Sequence, residues 1–486
     1  MEILIGLPLA ARIEPSPATP PPTGAITVSS QSELAAAAAA ATPGTVIELA
    51  AAVQNATLAL TGISLQPPGL TIRQAPGARL RKLDLQDCAH IRLEGLVFEW
   101  DNQAGPDFGT PGFSADQAYA LVINASQGIE VLHCQFDLDP TQTGTRQTIA
   151  SLKKRPGAIR STGSSGEVGN CSFVRVRDGL VLKSGTWNVH HNHGQQIFED
   201  FCTGDATHWT FDDNSATLFE GSYVRSYTVA STAGLNPGET FVKGPQVIEI
   251  HAILNATTLH GQINNYDLPG TGVFSGTGMA AGKSLTVTAT GGEVAGLNIH
   301  GDMFQPLLLS GSASYQLTAR RNIGYRSLPY DTNAICQEPN TQFILAQRNG
   351  GSGAWDPCII THNISALGQP FGIKLQQGRN GHLDYNSVLW GERGIRSDIE
   401  FDHLTNMTVR FNAGDNNLGG AVDNNGGNSG ITISGNVFVD GNNGAQALQY
   451  ASPYTYPQTK AGFAPVPGSG VDAGSAGALT TAGQFR

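Results

Sequence analysis

A short strand ending in asparagine returns along much of this chain, and that repeat constrains the fold more than any other feature. "WNVHHN" ends at Asn192, "WTFDDN" at Asn214, "LTARRN" at Asn322 and "CIITHN" at Asn363. "GHLDYN" follows at Asn386, "MTVRFN" at Asn412 and "ITISGN" at Asn436, giving steps of 22, 108, 41, 23, 26 and 24 residues. A segment this short cannot bury its apolar face alone, so such segments stack and hydrogen-bond along one axis at about 4.8 Å per rung. The expected fold is all-β: a right-handed parallel β-helix, a single-chain solenoid with one coil per 22–26 residues. The step of 41 is a coil with a long loop, and the step of 108 contains an insertion. An Asn at the same bend of every coil is expected to take up the tight turn and to hydrogen-bond the next Asn along the stack.

Composition agrees with a turn-rich β protein. Charged residues are 14% of the chain, against about 25% in average proteins, and there are 60 glycines. The net charge of −11 argues against a nucleic-acid partner, although a local basic strip would suffice for an acidic polysaccharide. Six cysteines show neither a CxxC pair nor zinc spacing and read as small core residues. The apolar run Ile3–Ala10 contains Pro8 and follows Glu2, which is poor for a secretion signal and too short for the roughly 20 residues of a membrane span. With the Pro-rich spacer Pro15–Pro22, residues 1–25 read as a docking peptide held away from the body, and no membrane insertion is expected.

Alternation before each Asn separates inside from outside. Trp187/Val189, Trp209/Phe211, Cys358/Ile360, Met407/Val409 and Ile431/Ile433 are expected to face the core. His190, Asp212, Arg320, Thr361, Asp384 and Arg410 are expected to face outward, with opposite charges pairing between coils. "HHNH" at 190–193 is not expected to hold a metal, because strand neighbours point to opposite sides and no acidic or Cys partner has ligand spacing.

Asp178 and Asp200 both lie fourteen residues before their Asn, so they should stack on adjacent coils, with Lys183 and Asp205 matching and pairing. "NIHGDMFQ", with His300, Asp302 and Gln305, aligns as the next coil. Lys374 and Arg396, 22 residues apart, are expected to extend one strip: Asp178, Asp200, Asp302, Lys374, Arg396. Between residues 220 and 297, "VIEIHAIL" and "SLTVTAT" alternate with period two, which marks an inserted β-rich element beside that strip. The expected parts are then 26–219 and 298–445 for the solenoid and 446–486 for a closing segment.

Four further stretches carry a family likeness. "SELAAAAAAATPGTVIELAA" (32–51) reads as a capping helix and first strand, "IRLEGLVF" (91–98) and "IEVLHCQF" (129–136) as early coils, and "FAPVPGSGVDAG" (463–474) as a closing segment. The chain resembles the pectin-lyase-like β-helix superfamily, and most of all the tailspikes or head spikes of tailed phages and gene transfer agents. That resemblance implies a homotrimeric spike on a virion or phage-like particle, attached to capsid or tail proteins through its N-terminus, that binds a host surface polysaccharide. A secreted polysaccharide-degrading enzyme is the alternative. A glycoside hydrolase would use paired carboxylates among Asp178, Asp200 and Asp302. A uronate lyase or epimerase would use Lys374, Arg396 and His300 to neutralise the sugar carboxylate and move the α-proton. No cofactor is required, although Ca²⁺ on the acidic column would suit a lyase.

Overall fold

The computed structural model describes residues 24–102, 115–138, 154–197, 199–218, 223–237, 239–243, 246–263, 270–298, 302–308, 314–326, 342–348, 353–365, 371–388, 398–414, 427–438, 450–451 and 459–486. These residues form a parallel β-helix with three sheet faces. The first face runs from Ile26–Val28 to Thr432–Ser434 and holds the strands that precede each Asn. The second face holds the strands that follow it, from Val97–Glu99 to Val437–Phe438. The third face runs from Ala56–Thr61 to Asp398–Asp402 and returns the chain to the first.

The Asn corner is a continuous ladder. The Asn192 backbone N–H and Nδ2 both donate to Oδ1 of Asn214, at 3.0 Å each. The same pair of bonds joins Asn214 to Asn322, Asn322 to Asn363, Asn363 to Asn386, Asn386 to Asn412 and Asn412 to Asn436. The second Nδ2 proton of each goes to a carbonyl of the preceding coil, as from Asn363 to Ala319 at 2.9 Å. One expectation changes here. The left-handed residue at each corner is not the Asn but the one before it: His191, Asp213, Arg321, His362, Tyr385 and Phe411 have φ between 53° and 60°. The Asn satisfies buried backbone groups that the turn would otherwise strand.

Inside, the alternation holds. Trp187 and Trp209 are buried and in register, and the rings of Phe98, Phe136 and Phe173 stack at 4.7 and 5.1 Å. Ile433 is the exception at 43% exposed, because it lies on the last strand of the first face. Outside, charges pair across rungs as expected: Asp212 binds Arg320 at 3.0 Å and Asp384 binds Arg410 at 2.9 Å. The five described cysteines are free and buried.

Helix α1 (Gln31–Ala39) caps the opening end, burying Leu34 and Ala38 against the core. Ser30 caps its N-terminus, and the Gln31 amide bonds both backbone groups of Ala59 at 2.8 Å, closing that strand edge as another strand would. The closing segment lies along the flank, not across the end: Phe463, Val471 and Leu479 pack with Ile323, Ile364 and Ala413. The insertion is a closed six-stranded antiparallel barrel spanning Tyr223–Val229 to Ser284–Asn298, with its own core of Tyr227, Phe241, Ile248, Ile250, Leu259, Phe274 and Leu285. Among the described residues no helix is long and apolar enough to cross a membrane.

Candidate functional site

The turn from the second face to the third is where the coils differ most. The chain crosses it briefly between Val174 and Leu180 and again between Ile197 and Cys202. On the coils before, the connections run from Glu99 to Tyr119 and from Asp137 to Gly157; on those after, from Leu218 to Asp302 and from Arg326 to Gln342. Two short turns therefore sit between long excursions, the barrel among them.

Those short turns carry the acidic column. Strand registers place Asp178 beside Asp200 and Asp200 beside Asp302, as the spacing predicts. Backbone bonds run from Gly179 to Asp200 and from Phe201 to Asp302, and the Asp302 N–H donates to Asp200 Oδ1 at 2.9 Å. The residues between Leu308 and Ser314 account for the longer sequence gap from Asp302 to Asn322. Asp178 and Asp302 are buried, at 4% and 0% exposed, so they form the floor of the site.

Residues that the spacing did not single out complete it. The Tyr119 hydroxyl donates to Asp178 Oδ2 at 2.6 Å, and Arg177 Nε donates to the same oxygen at 3.0 Å. Arg177 also donates to the Tyr119 hydroxyl at 3.2 Å and lies 3.7 Å from Glu199. Tyr119 reaches Asp178 across the intervening coil because that rung is Gly157, where a Cβ would fall 2.1 Å from the Tyr119 ring. Glu199 keeps 35% of its side chain exposed and is the outward member of the cluster. Arg177 and Glu199 were legible as the partners of Asp178 and Asp200 in two charged dipeptides 22 residues apart, "RD" and "ED". Tyr119 gave no such signal.

Desolvation by the packed turns around its part-exposed side chain, then the Asp178 charge, pushes the Glu199 carboxyl above the ordinary carboxylate range, with Arg177 acting against the rise. Asp200 is pushed well up by burial and then by the charges of Asp302 and Asp178. Carboxylates packed this closely hold protons well above the pH at which a solvated one would lose them. They offer proton donors at the surface of the site, with Asp178 fixed beneath by Arg177 and Tyr119.

The remaining expected residues fall elsewhere. His300 and Arg396 lie outside the described residues. Gln305 is on the third face, where its side chain accepts from the Thr203 hydroxyl at 3.1 Å. Asp205 accepts the Ser184 N–H at 3.1 Å, and no ion pair joins it to Lys183. Lys374 does not extend the Asp column. Register carries Asp302 to Gln342, whereas Lys374 lies beside Leu345 and pairs with Glu400 at 3.1 Å. Spacing alone puts it three positions out, because loop lengths on the later coils vary. Among the described residues no group of three or more His, Cys, Asp or Glu is arranged to hold a metal ion.

No protein-family model matches the chain, and no curated protein matches it. Among solved structures, the crystal structure of PfbA, a surface adhesin of Streptococcus pneumoniae, is similar at 8% identity, covering 84% of this chain and 85% of that one with a TM-score of 0.34. At that similarity nothing about function passes between the two, and the fold rests on the strand registers above.

Proposed function

We propose that the chain recognises a surface polysaccharide and is borne on the outside of a phage-like particle as an attachment spike. The cluster of Tyr119, Arg177, Asp178, Glu199, Asp200 and Asp302 carries this reading. Arg177, Asp178, Glu199 and Asp200 lie on two short turns between long excursions of the chain, Tyr119 and Asp302 open strands on the neighbouring coils, and the inserted barrel precedes Asp302. A solenoid suits a polymer ligand because successive coils offer successive subsites along one axis. The short apolar start and Pro-rich spacer at residues 1–25 support attachment through the N-terminus.

A second reading, glycoside hydrolysis, is favoured by the raised acids at Glu199 and Asp200. Hydrolysis needs one carboxyl that holds its proton and a second that does not. Stacked carboxyl groups about 5 Å apart suit the retaining geometry. Elimination chemistry has less support, since Lys374 is engaged by Glu400.

Size-exclusion chromatography of capsular polysaccharides incubated with the protein, followed near 235 nm, separates these. Co-elution of intact chains, weakened by Glu199→Gln, is the expected result. Shortened chains without new absorbance would replace recognition by hydrolysis. Failure of every surface glycan in the panel to co-elute or shorten would remove both.

A further inference from the structure

The "HHNH" corner lies outside the proposed glycan site and has a geometry that strand alternation did not foresee. His191 is left-handed, with φ 54°, so its ring leaves the alternating pattern and meets that of His190. The two Nδ1 atoms are 3.0 Å apart and the rings are nearly perpendicular, at 83°. His190 lies flat on Gly169 of the preceding coil, where a Cβ would fall 2.5 Å from its Cε1, and its Nε2 reaches Glu167 at 2.7 Å. His191 Nε2 reaches Asp213 on the following coil at 3.2 Å. The acidic partners missing from the local sequence thus come from the coils on either side.

Counting protons defines the pair. His190 Nε2 donates to the Glu167 carboxylate, Asp213 stands beside His191 as an ion-pair partner, and the contact between the Nδ1 atoms requires one proton between two nitrogens. We propose that this corner is a two-imidazole site for a divalent transition-metal ion, which takes the place of that proton. Metal–nitrogen bonds of about 2.0–2.1 Å to two nitrogens 3.0 Å apart subtend about 91–97° at the metal. Adjacent positions of a tetragonal copper(II) or nickel(II) centre have that angle, whereas tetrahedral zinc needs the nitrogens further apart. Glu167 and Asp213 stand behind the two rings and hold their orientation, as carboxylates behind metal-bound histidines do. Water fills the remaining positions; His191, with 52% of its side chain exposed, leaves the site open to solvent. The balance is simple: the Nδ1–H bond breaks, the proton passes to buffer, and two metal–nitrogen bonds form.

The test is calorimetric titration of the untagged protein with NiCl₂ and with ZnCl₂, in two buffers of different ionisation enthalpy. The expected result is one Ni²⁺ per chain, release of about one proton, and weaker binding of Zn²⁺. His190→Gln and His191→Asn, the latter chosen because Asn tolerates the left-handed backbone, should abolish binding. His208→Gln, elsewhere on the first face, should not. Glu167→Ala should weaken binding by about 10–100-fold. Retention of wild-type binding by His191→Asn, or binding without proton release, would overturn the proposal. Melting curves of the metal-free variants that match wild type would show that lost binding is not lost folding.

Discussion

At the scale of single residues, two kinds of position matter most: the Asn of each corner and the glycines that let a side chain cross a rung. Replacing Asn363 with Ala would strand the Asn322 N–H and Nδ2 and the Ala319 carbonyl inside the corner. At about 1–3 kcal/mol per buried unsatisfied group, the three groups together cost about 3–9 kcal/mol, a large share of a typical domain's stability. The midpoint of thermal or urea unfolding should fall accordingly. A small change would show that water fills the gap. Gly157→Ala acts differently. Its new Cβ collides with Tyr119, so the Tyr119–Asp178 bond breaks and glycan co-elution should weaken, at about 1–3 kcal/mol of overpacking strain. Unchanged co-elution with this variant would remove Tyr119 and Asp178 from the site.

At the scale of elements, the solenoid and the barrel have separate cores. Joining Leu218 to Asp302 by a short linker is therefore expected to leave the β-helix folded, with its far-UV circular dichroism retained. If the barrel forms part of the glycan site, co-elution should fall in this variant while the fold persists. Collapse of the coils would show instead that the barrel holds the column together. The Asn ladder was legible from spacing alone because parallel stacking forces equal residues to equal positions. The placement of Lys374 was not, because its coil is preceded by turns of uneven length and only hydrogen bonding fixes the register.

For the whole molecule, the acidic column sets a pH dependence. Glu199 and Asp200 bind protons more tightly folded than unfolded. Their contribution is fully present below the ordinary carboxylate values of 4.5 and 3.8, and it is lost as pH rises through the raised folded values. The wild-type melting temperature should therefore decline from mildly acidic toward alkaline pH, and Glu199→Gln should flatten that decline. A profile identical in the two proteins would show that Glu199 is solvated and unperturbed. The net charge of −11 acts in the same direction through general repulsion, so the comparison with the variant is what isolates the column.

The amino-acid sequence by itself determined the coil. A repeat near 22–26 residues, alternation before each Asn and the period-two insertion specified a β-helix, its inward Trp pair, its charged outer rungs and the stacking of Asp178 with Asp200 and Asp302. Those features follow from periodicity, which any one coil shares with its neighbours. Only the tertiary structure decided what crosses between coils. It took Tyr119 over Gly157 to Asp178, left Glu199 part-exposed beside Arg177, and turned His191 back onto His190. Each depends on one residue departing from the repeat, by lacking a side chain, by ending a short turn or by taking a left-handed backbone. Periodicity averages over such departures, and the candidate sites are built from them.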